Sequence, residues 1–240
     1  DSETMTVSEH IKNLDSILDD VKRTMDWSGL CVKNRLTPQQ CHNLVYVAYN
    51  IDANMLTAYS MTELMPYHDG DKNFALMSLY METAGRKYLD YVPALGDKYL
   101  SMGRYQFTSF AIGYDDSGAR PSNMIAEFSP SYPIPGSVVK LTGAESDLAA
   151  YYFSVYNVMT LLKKMTVNGN NRFKTHCIDK KGQIVEYIAT AHHNPSWARK
   201  RAIQWIGADC SKPLRSYQGE RLEIYSIKTA TNYAAILKNG

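Results

Sequence analysis

The spacing of apolar residues near the start of the chain constrains its fold most strongly. These residues recur at three- and four-residue steps: Ile11, Leu14, Leu18, Val21 and Met25. Because an α-helix has 3.6 residues per turn, this spacing places all five side chains on one face. The sequence therefore predicts an amphipathic helix from Val7 to Met25 that packs against other elements.

Helix signals continue along most of the chain. Thr37, Pro38 and Gln40 have the pattern of a capping box with proline at the first helical position, which predicts a helix through Tyr49. Apolar spacing and capping residues predict further helices over 52–64, 71–85, 145–165, 185–191, 195–206 and 226–237. We therefore expect a mainly α protein.

Two segments have signals for irregular or extended structure. Residues 113–143 are rich in glycine, proline and serine, which predicts a long surface loop of the kind that borders binding clefts. A turn is expected at 168–171, and a short hairpin is expected from Arg172 to Ile178 and from Ile184 onward.

The composition excludes several classes of protein. The 240 residues are 45% hydrophobic and 21% charged with a net charge of +2, which is ordinary for a globular chain and gives no indication of nucleic-acid binding. No apolar run approaches the roughly 18 residues that a membrane-spanning helix needs. The length suits one domain with an appended helical segment.

The four cysteines, Cys31, Cys41, Cys177 and Cys210, are even in number and lack metal-binding spacing. Disulfides formed in an oxidising compartment fit best, and buried free thiols in a cytoplasmic protein are the alternative. The sequence does not choose among the three connectivities, although Cys31–Cys41 with Cys177–Cys210 is the most local.

Motifs for several common chemistries are absent from the sequence. It contains no phosphate-binding GxxxxGK[ST], no GxGxxG after a strand, no GxSxG and no HExxH. His192 and His193 are adjacent, but neighbours on a helix point about 100° apart and rarely share an ion. We expect no metal and no cofactor, and expect both histidines to be exposed or to line a cleft.

Four short segments occur in an order that resembles a known enzyme family. They are Met81-Glu82-Thr83, Gly103-Arg104-Tyr105-Gln106, Ala191-His192-His193-Asn194 and Thr229-Ala230-Thr231-Asn232-Tyr233. This order is similar to that of the soluble lytic transglycosylases and goose-type lysozymes: Glu-Ser at a helix end, Gly-Leu-Met-Gln, Ala-Tyr-Asn, and Glu-Thr-x-x-Tyr. The resemblance spans roughly residues 52–237.

The resemblance implies a single catalytic glutamate, for which the sequence offers two candidates. The family's glutamate protonates the leaving oxygen of a glycosidic bond and then acts as base on the sugar's own 6-hydroxyl. Glu82 precedes Gln106 by 24 residues and Glu63 precedes it by 43, and the shorter spacing favours Glu82. Residues 51–63 also resemble the helix that leads into the family's glutamate. A third interpretation makes both glutamates surface carboxylates.

The resemblance also implies substrate-binding residues. Gly103 would allow close backbone approach to the sugar, and Gln106 would offer amide donors and acceptors. Tyr105 stands beside them where the family has methionine. Asn194 and Tyr233 match residues of the family's motifs, and His193 stands where the family has tyrosine. The alternative for Tyr233 is a core aromatic on the last helix. Asp97 resembles a goose-type carboxylate that holds a water in an inverting hydrolase, but an exposed loop aspartate is the favoured interpretation.

Together these features predict a mainly α, lysozyme-like (α+β) protein. Residues 1–50 would form an N-terminal helical extension packed on a lysozyme-like domain at 51–240. The expected activity is cleavage between N-acetylmuramic acid and N-acetylglucosamine by a secreted or periplasmic lytic transglycosylase. Its partners would be peptidoglycan glycan strands and cell-envelope proteins. The alternatives are a hydrolytic muramidase or chitinase of the same fold, and a catalytically silent glycan-binding protein.

Overall fold

The computed structural model describes residues 7–64, 101–102, 105, 107–108, 143–167, 170–171, 177 and 181–239. This part of the chain is mostly helical, as expected. Its eight α-helices are α1 (Val7–Thr24), α2 (Trp27–Lys33), α3 (Pro38–Asn50), α4 (Ala53–Leu64), α5 (Gly143–Met165), α6 (Lys181–His193), α7 (Pro195–Gly207) and α8 (Glu220–Asn239). A short 3₁₀ helix, Leu214–Tyr217, precedes α8.

Extended structure in the described part is limited to two small antiparallel pairs. Strands β1 (Ser101–Met102) and β2 (Phe107–Thr108) pair with Met102 opposite Phe107. Strands β3 (Thr166–Val167) and β4 (Asn170–Asn171) pair with Val167 opposite Asn170, so the chain reverses where the turn was predicted.

The first helix buries the apolar face that its sequence predicts. Leu14, Leu18 and Val21 are at most 2% exposed. The side chain of Asp15 accepts a hydrogen bond from the backbone N–H of Ala53 at 3.0 Å, which links α1 to the first residue of α4. The N-terminal helices and the later helices contribute to one hydrophobic core.

The capping box of α3 is also confirmed. Thr37 Oγ1 accepts a hydrogen bond from the Gln40 N–H at 3.1 Å, and Gln40 Oε1 accepts one from the Thr37 N–H at 2.8 Å. The helix is held on α5 by the Tyr151 hydroxyl, which donates to the Ala48 carbonyl at 2.8 Å.

Helix α4 lies at the centre of the described structure. Every residue from Met55 to Glu63 is buried, and α6 and α8 pack along it. Asp52 caps its first turn by accepting a hydrogen bond from the Met55 N–H at 3.0 Å. A helix buried on all sides cannot show the one-sided apolar spacing that α1 shows, because each face meets protein.

Three segments differ from the sequence predictions. Helix α2 was not predicted, and it begins where Asp26 Oδ1 accepts a hydrogen bond from the Gly29 N–H. The hairpin strand expected from Ile184 onward is wrong, since Ile184 lies inside α6, whose β-branched residues face the core. Helix α8 begins at Glu220, six residues before the predicted Ser226.

Two disulfides join the four cysteines, Cys31 with Cys41 and Cys177 with Cys210, and the most local connectivity is therefore confirmed. The first ties α2 to α3, and the second ties residue 177 to the segment after α7. Across the described ranges, no helix has the length and apolar character needed to cross a membrane.

Several predicted features lie outside the described residues. They are the helix at 71–85, the first strand of the expected hairpin except for Cys177, and the loop at 113–143 except for Gly143, which begins α5. The proposed division at residue 50 stays a prediction, although helices from both sides of it share the core.

We predict that the two disulfides stabilise the chain unequally. The paired cysteines are 10 residues apart in Cys31–Cys41 and 33 apart in Cys177–Cys210. The entropy that a disulfide removes from the unfolded chain grows with the logarithm of the length of the loop it closes. Loss of Cys177–Cys210 should therefore lower the free energy of unfolding by about 1 kcal/mol more than loss of Cys31–Cys41. Urea unfolding of the C31A/C41A and C177A/C210A proteins measures this difference. Equal losses, or four alkylatable thiols in protein from its native compartment, would contradict it.

Candidate functional site

A buried glutamate ends the central helix. Glu63 lies in the last turn of α4, and its side chain is only 8% exposed, so it is not a surface carboxylate. Its Oε1 atom lies 4.0 Å from Nε2 of His192. His192 lies near the end of α6, and its side chain is only 5% exposed, contrary to the expectation that it would be exposed or line a cleft.

Burial leaves both groups uncharged at neutral pH. It raises the pKa of the Glu63 carboxyl to about 8. It lowers the pKa of His192 to about 3, although a hydrogen bond with the backbone of Tyr105 acts in the opposite direction. The pair is therefore a carboxylic acid beside a neutral imidazole, not a salt bridge, because desolvation disfavours the charged form of each.

Tyr59 fixes the imidazole from the other side. It precedes Glu63 by four residues, so the two side chains share one face of α4. The Tyr59 hydroxyl is hydrogen-bonded to Nδ1 of His192. Burial raises the pKa of this tyrosine well above its usual value, with the charge of Glu63 as a second cause, so the hydroxyl keeps its proton.

Aromatic side chains surround the imidazole. Phe107 and Phe153 meet the His192 ring edge to face, with ring centroids 5.0 Å and 5.6 Å away. The ring of Tyr105 packs edge to face on Tyr59 at 5.0 Å. We call Tyr59, Glu63, Tyr105 and His192 the Glu63 cluster. Its burial away from water explains the shifted pKa values.

A hydroxyl pair holds the end of α4 on α8. Thr62 Oγ1 lies 2.9 Å from Thr229 Oγ1 and accepts a hydrogen bond from Asn232 Nδ2 at 3.2 Å. Thr62 also donates to the Ala58 carbonyl at 3.0 Å. These bonds satisfy the buried polar groups next to Glu63, and so they fix the position of the glutamate backbone.

Glu63 itself is less completely bonded. Its Oε1 atom receives no hydrogen bond from any described residue. A buried carboxyl group that is protonated and has an unpartnered oxygen can exchange a proton with a ligand without first breaking a bond inside the protein. The arrangement is suited to general acid catalysis.

The predicted substrate-binding residues have different environments. Tyr105 is fully buried, and its hydroxyl donates to Asp147 at 2.7 Å, so this ring supports the Glu63 cluster. Its contact with substrate stays a prediction. A side chain in the tight turn between two strands is buried here because it lies over α4 and α5.

His193 and Asn194 lie next to the Glu63 cluster along the chain. His193 stacks on Tyr225 with ring centroids 4.0 Å apart. Asn194 Oδ1 accepts a hydrogen bond from the Trp197 N–H at 3.3 Å and so caps α7. Both residues line a cavity of about 280 Å³ between α6, α7 and α8.

Tyr233 is half-buried, and it is influenced by the charge of Asp52, at the opposite end of α4 from Glu63. Its pKa is raised by burial and then by Asp52, which caps the first turn of that helix. Asp52 and Glu63 are 11 residues apart, or about 16 Å along a helix axis. Thr229 and Asn232, not Tyr233, are the α8 residues that bond beside Glu63.

The other predicted site residues lie outside the described part of the chain. They are Glu82, Asp97, Gly103 and Gln106. The choice between Glu82 and Glu63 therefore stays open to experiment.

Sequence reasoning did not identify Tyr59, Asp147 or His192 as members of the site. The four-residue step from Tyr59 to Glu63 was a usable signal, because it places a hydroxyl and a carboxyl on one helix face. The histidine pair was another, since a helix turns by about 100° between neighbours and one of the two rings can face inward.

Metal binding has no ready ligand set in this region. In the described ranges, no three histidine, cysteine, aspartate or glutamate side chains cluster so that they could hold an ion.

Comparisons of the chain with protein-family models, with curated protein sequences and with solved structures each find no match.

We predict that Glu63 makes folding stability depend on pH. Its pKa in the folded state, about 8, lies above its ordinary value of 4.5. The unfolded chain therefore loses this proton first, and the contribution of Glu63 to folding stability falls as pH rises from 4.5 towards 8. The slope should reach about 1.4 kcal/mol per pH unit.

Denaturant unfolding of wild type and Glu63→Gln between pH 4.5 and 8 measures this slope. The glutamine variant lacks the titrating group, so its stability should fall less over the same range. Parallel pH curves for the two proteins would show that the Glu63 carboxyl titrates normally.

Proposed function

We propose that this chain cleaves peptidoglycan glycan strands as a lysozyme-like lytic transglycosylase, with Glu63 as its catalytic acid. One observation carries the proposal: the alternative glutamate helix at residues 51–63 meets two of the segments that resemble the family's motifs, around a protonated glutamate. Glu63 ends an apolar helix, Tyr105 comes from the segment Gly103–Gln106, and His192 comes from the segment Ala191–Asn194. These segments are far apart in sequence, and they meet only in the folded chain.

The charge state of Glu63 suits the first chemical step. A glycosidic bond breaks through an oxocarbenium-like transition state, and the leaving oxygen needs a proton from an acid that still holds one near neutral pH. A carboxyl group with a pKa raised to about 8 meets this need. The glycosidic oxygen would take the proton as the bond to the anomeric carbon breaks.

The second step uses the carboxylate that the first step leaves. As base, it would accept the proton of the sugar's own 6-hydroxyl, whose oxygen closes on the anomeric carbon to give an anhydro product. Glu63 then regains its proton, and no second carboxylate is needed. In the described part, Oε1 has no hydrogen-bond partner to compete for this proton.

Tyr59, His192 and Tyr105 would act as positioning residues in this scheme. The hydroxyl of Tyr59 fixes the imidazole, and the imidazole packs beside the carboxyl. Because His192 is neutral at pH 7, it does not draw the proton off Glu63. A histidine that was charged here would lower the pKa of the glutamate and weaken it as an acid.

The two disulfides support a place of action outside the reducing cytoplasm, since disulfides persist in oxidising compartments. Peptidoglycan lies in such a location. We therefore propose that the protein is secreted or periplasmic.

We expect Glu63→Gln to lose glycan cleavage by a factor of about 10² to 10⁴, because glutamine keeps the shape and cannot donate a proton. Glu186→Gln is the matched control. Glu186 is also buried, on α6, but it is paired with Arg215 at 3.2 Å and not with the Glu63 cluster. Wild-type cleavage should also decline as pH rises through about 8, where the acid loses its proton.

Mass spectrometry of digested peptidoglycan reads out the reaction. Anhydro-muropeptides indicate a transglycosylase, and new reducing ends indicate a hydrolase of the same fold. The absence of any product indicates a silent glycan-binding protein. Glu82→Gln belongs in the same series, since retained turnover in Glu63→Gln with loss in Glu82→Gln would move the catalytic role to Glu82.

A further inference from the structure

A cavity of about 280 Å³ lies between the end of α6, the start of α7 and the start of α8. Two arginines line it, Arg201 from α7 and Arg221 from the first turn of α8. Glu220 is the only carboxylate among the described residues of its lining, so the two guanidinium groups leave a net positive charge. None of those residues belongs to the Glu63 cluster, and the cavity is therefore a separate site.

An aromatic ring holds Arg201 at the cavity wall. Lys200 and Arg201 follow Trp197 by three and four residues, so the three side chains share one face of α7. The Lys200 ammonium and the Arg201 guanidinium lie 5.0 Å and 5.2 Å from the centre of the Trp197 ring. The ring thus attracts cations of the protein itself and holds two positive charges close together. This attraction acts through charge and does not use up the N–H donors.

The donors of the two arginines are incompletely used. In the described part of the chain, Arg201 Nε is buried without a hydrogen-bond partner, and Arg201 Nη1 makes only a long contact of 3.4 Å to Gln204. No described residue forms a salt bridge with Arg201 or Arg221. A buried N–H without an acceptor costs free energy, which an acceptor oxygen of a ligand in the cavity would recover.

The rest of the lining adds to the positive potential. Helices α7 and α8 both begin at the cavity, after Asn194 and Gly219, so the positive ends of both helix dipoles lie there. Burial lowers the pKa of His193, and the charge of Arg221 lowers it further, so this imidazole is neutral above pH 7. The arginines are therefore the fixed cations of the site, and the helix ends increase its attraction for an anion.

We propose that this cavity binds a phosphomonoester, with Arg201 and Arg221 on the phosphate oxygens. A phosphomonoester carries close to two negative charges at neutral pH and can engage both guanidinium groups, whereas a carboxylate carries one charge and is matched by one arginine. The small volume suits a phosphate with a short substituent. The inference goes beyond the proposed function, since the ligand is not the glycan and the Glu63 cluster takes no part.

The test compares three small molecules that differ in charge. Glycerol 3-phosphate, the methyl diester of the same phosphate, and glycerol are titrated separately into the full chain at pH 7.5, and calorimetry measures each Kd. The monoester should bind at least about tenfold more tightly than the singly charged diester, and glycerol should not bind. NMR of the indole N–H of Trp197 locates the binding. The indoles of Trp27 and Trp205, which donate to backbone carbonyls, are internal references.

Arg201→Gln and Arg221→Gln should each weaken monoester binding by about tenfold or more. Arg199→Gln is the matched control, because it removes the same charge from α7. Arg199 comes two residues before Arg201, about 200° round the helix, and does not line the cavity. Arg221 is exposed, so its replacement disturbs no core packing. Circular dichroism melts of all variants separate loss of binding from loss of fold.

Glu220→Gln distinguishes an anionic ligand from a cationic one. Because this carboxylate lines the cavity, its removal should tighten monoester binding by roughly two- to fivefold. Weaker binding in Glu220→Gln, no saturable binding to wild type, or equal Kd values for monoester and diester would overturn the inference. The same loss in Arg199→Gln as in Arg201→Gln would also overturn it, since it would indicate diffuse attraction to the helix and not a site.

Discussion

The burial of α4 on all sides is the constraint on which the rest of the structure depends. From Met55 to Glu63 no residue of this helix is exposed, so every neighbouring helix must present a complementary surface. The two polar residues at its end, Thr62 and Glu63, have different surroundings. Thr62 is hydrogen-bonded to Thr229 and Asn232 on α8, whereas Glu63 lies beside a neutral histidine. Folding thus holds the helix firmly and leaves its last carboxyl group incompletely bonded.

This arrangement sets the charge state of the carboxyl group. A glutamate with a pKa near 8 is less stable in its charged form than it is in water, so it keeps its proton near neutral pH. Tyr59, His192 and Tyr105 keep the surroundings dry and uncharged, which preserves the shift. A stable core and a reactive acid are therefore consequences of the same packing, and they are not separate features of the chain.

The N-terminal helices belong to this packing. Leu14, Leu18 and Val21 enter the same core as α4, and Asp15 bonds to its first residue. The Cys31–Cys41 disulfide then fixes α2 on α3. Residues 1–50 were interpreted as an extension because the family resemblance begins after them. Their contacts show that they help to position the helix that carries the candidate acid.

The sequence by itself determined the elements whose signals are local. The apolar steps of α1 and the capping box at Thr37 and Gln40 depend on neighbours within one or two turns, so they could be predicted from the sequence. It also offered Glu63 as one of two candidate acids. Only the tertiary structure decided that Glu63 is buried, that His192 faces it and that Tyr105 supports it. These properties arise because helices more than 100 residues apart in the chain pack together. The sequence around a glutamate does not show which distant side chains will remove it from water, so its pKa shift could not be predicted from that sequence.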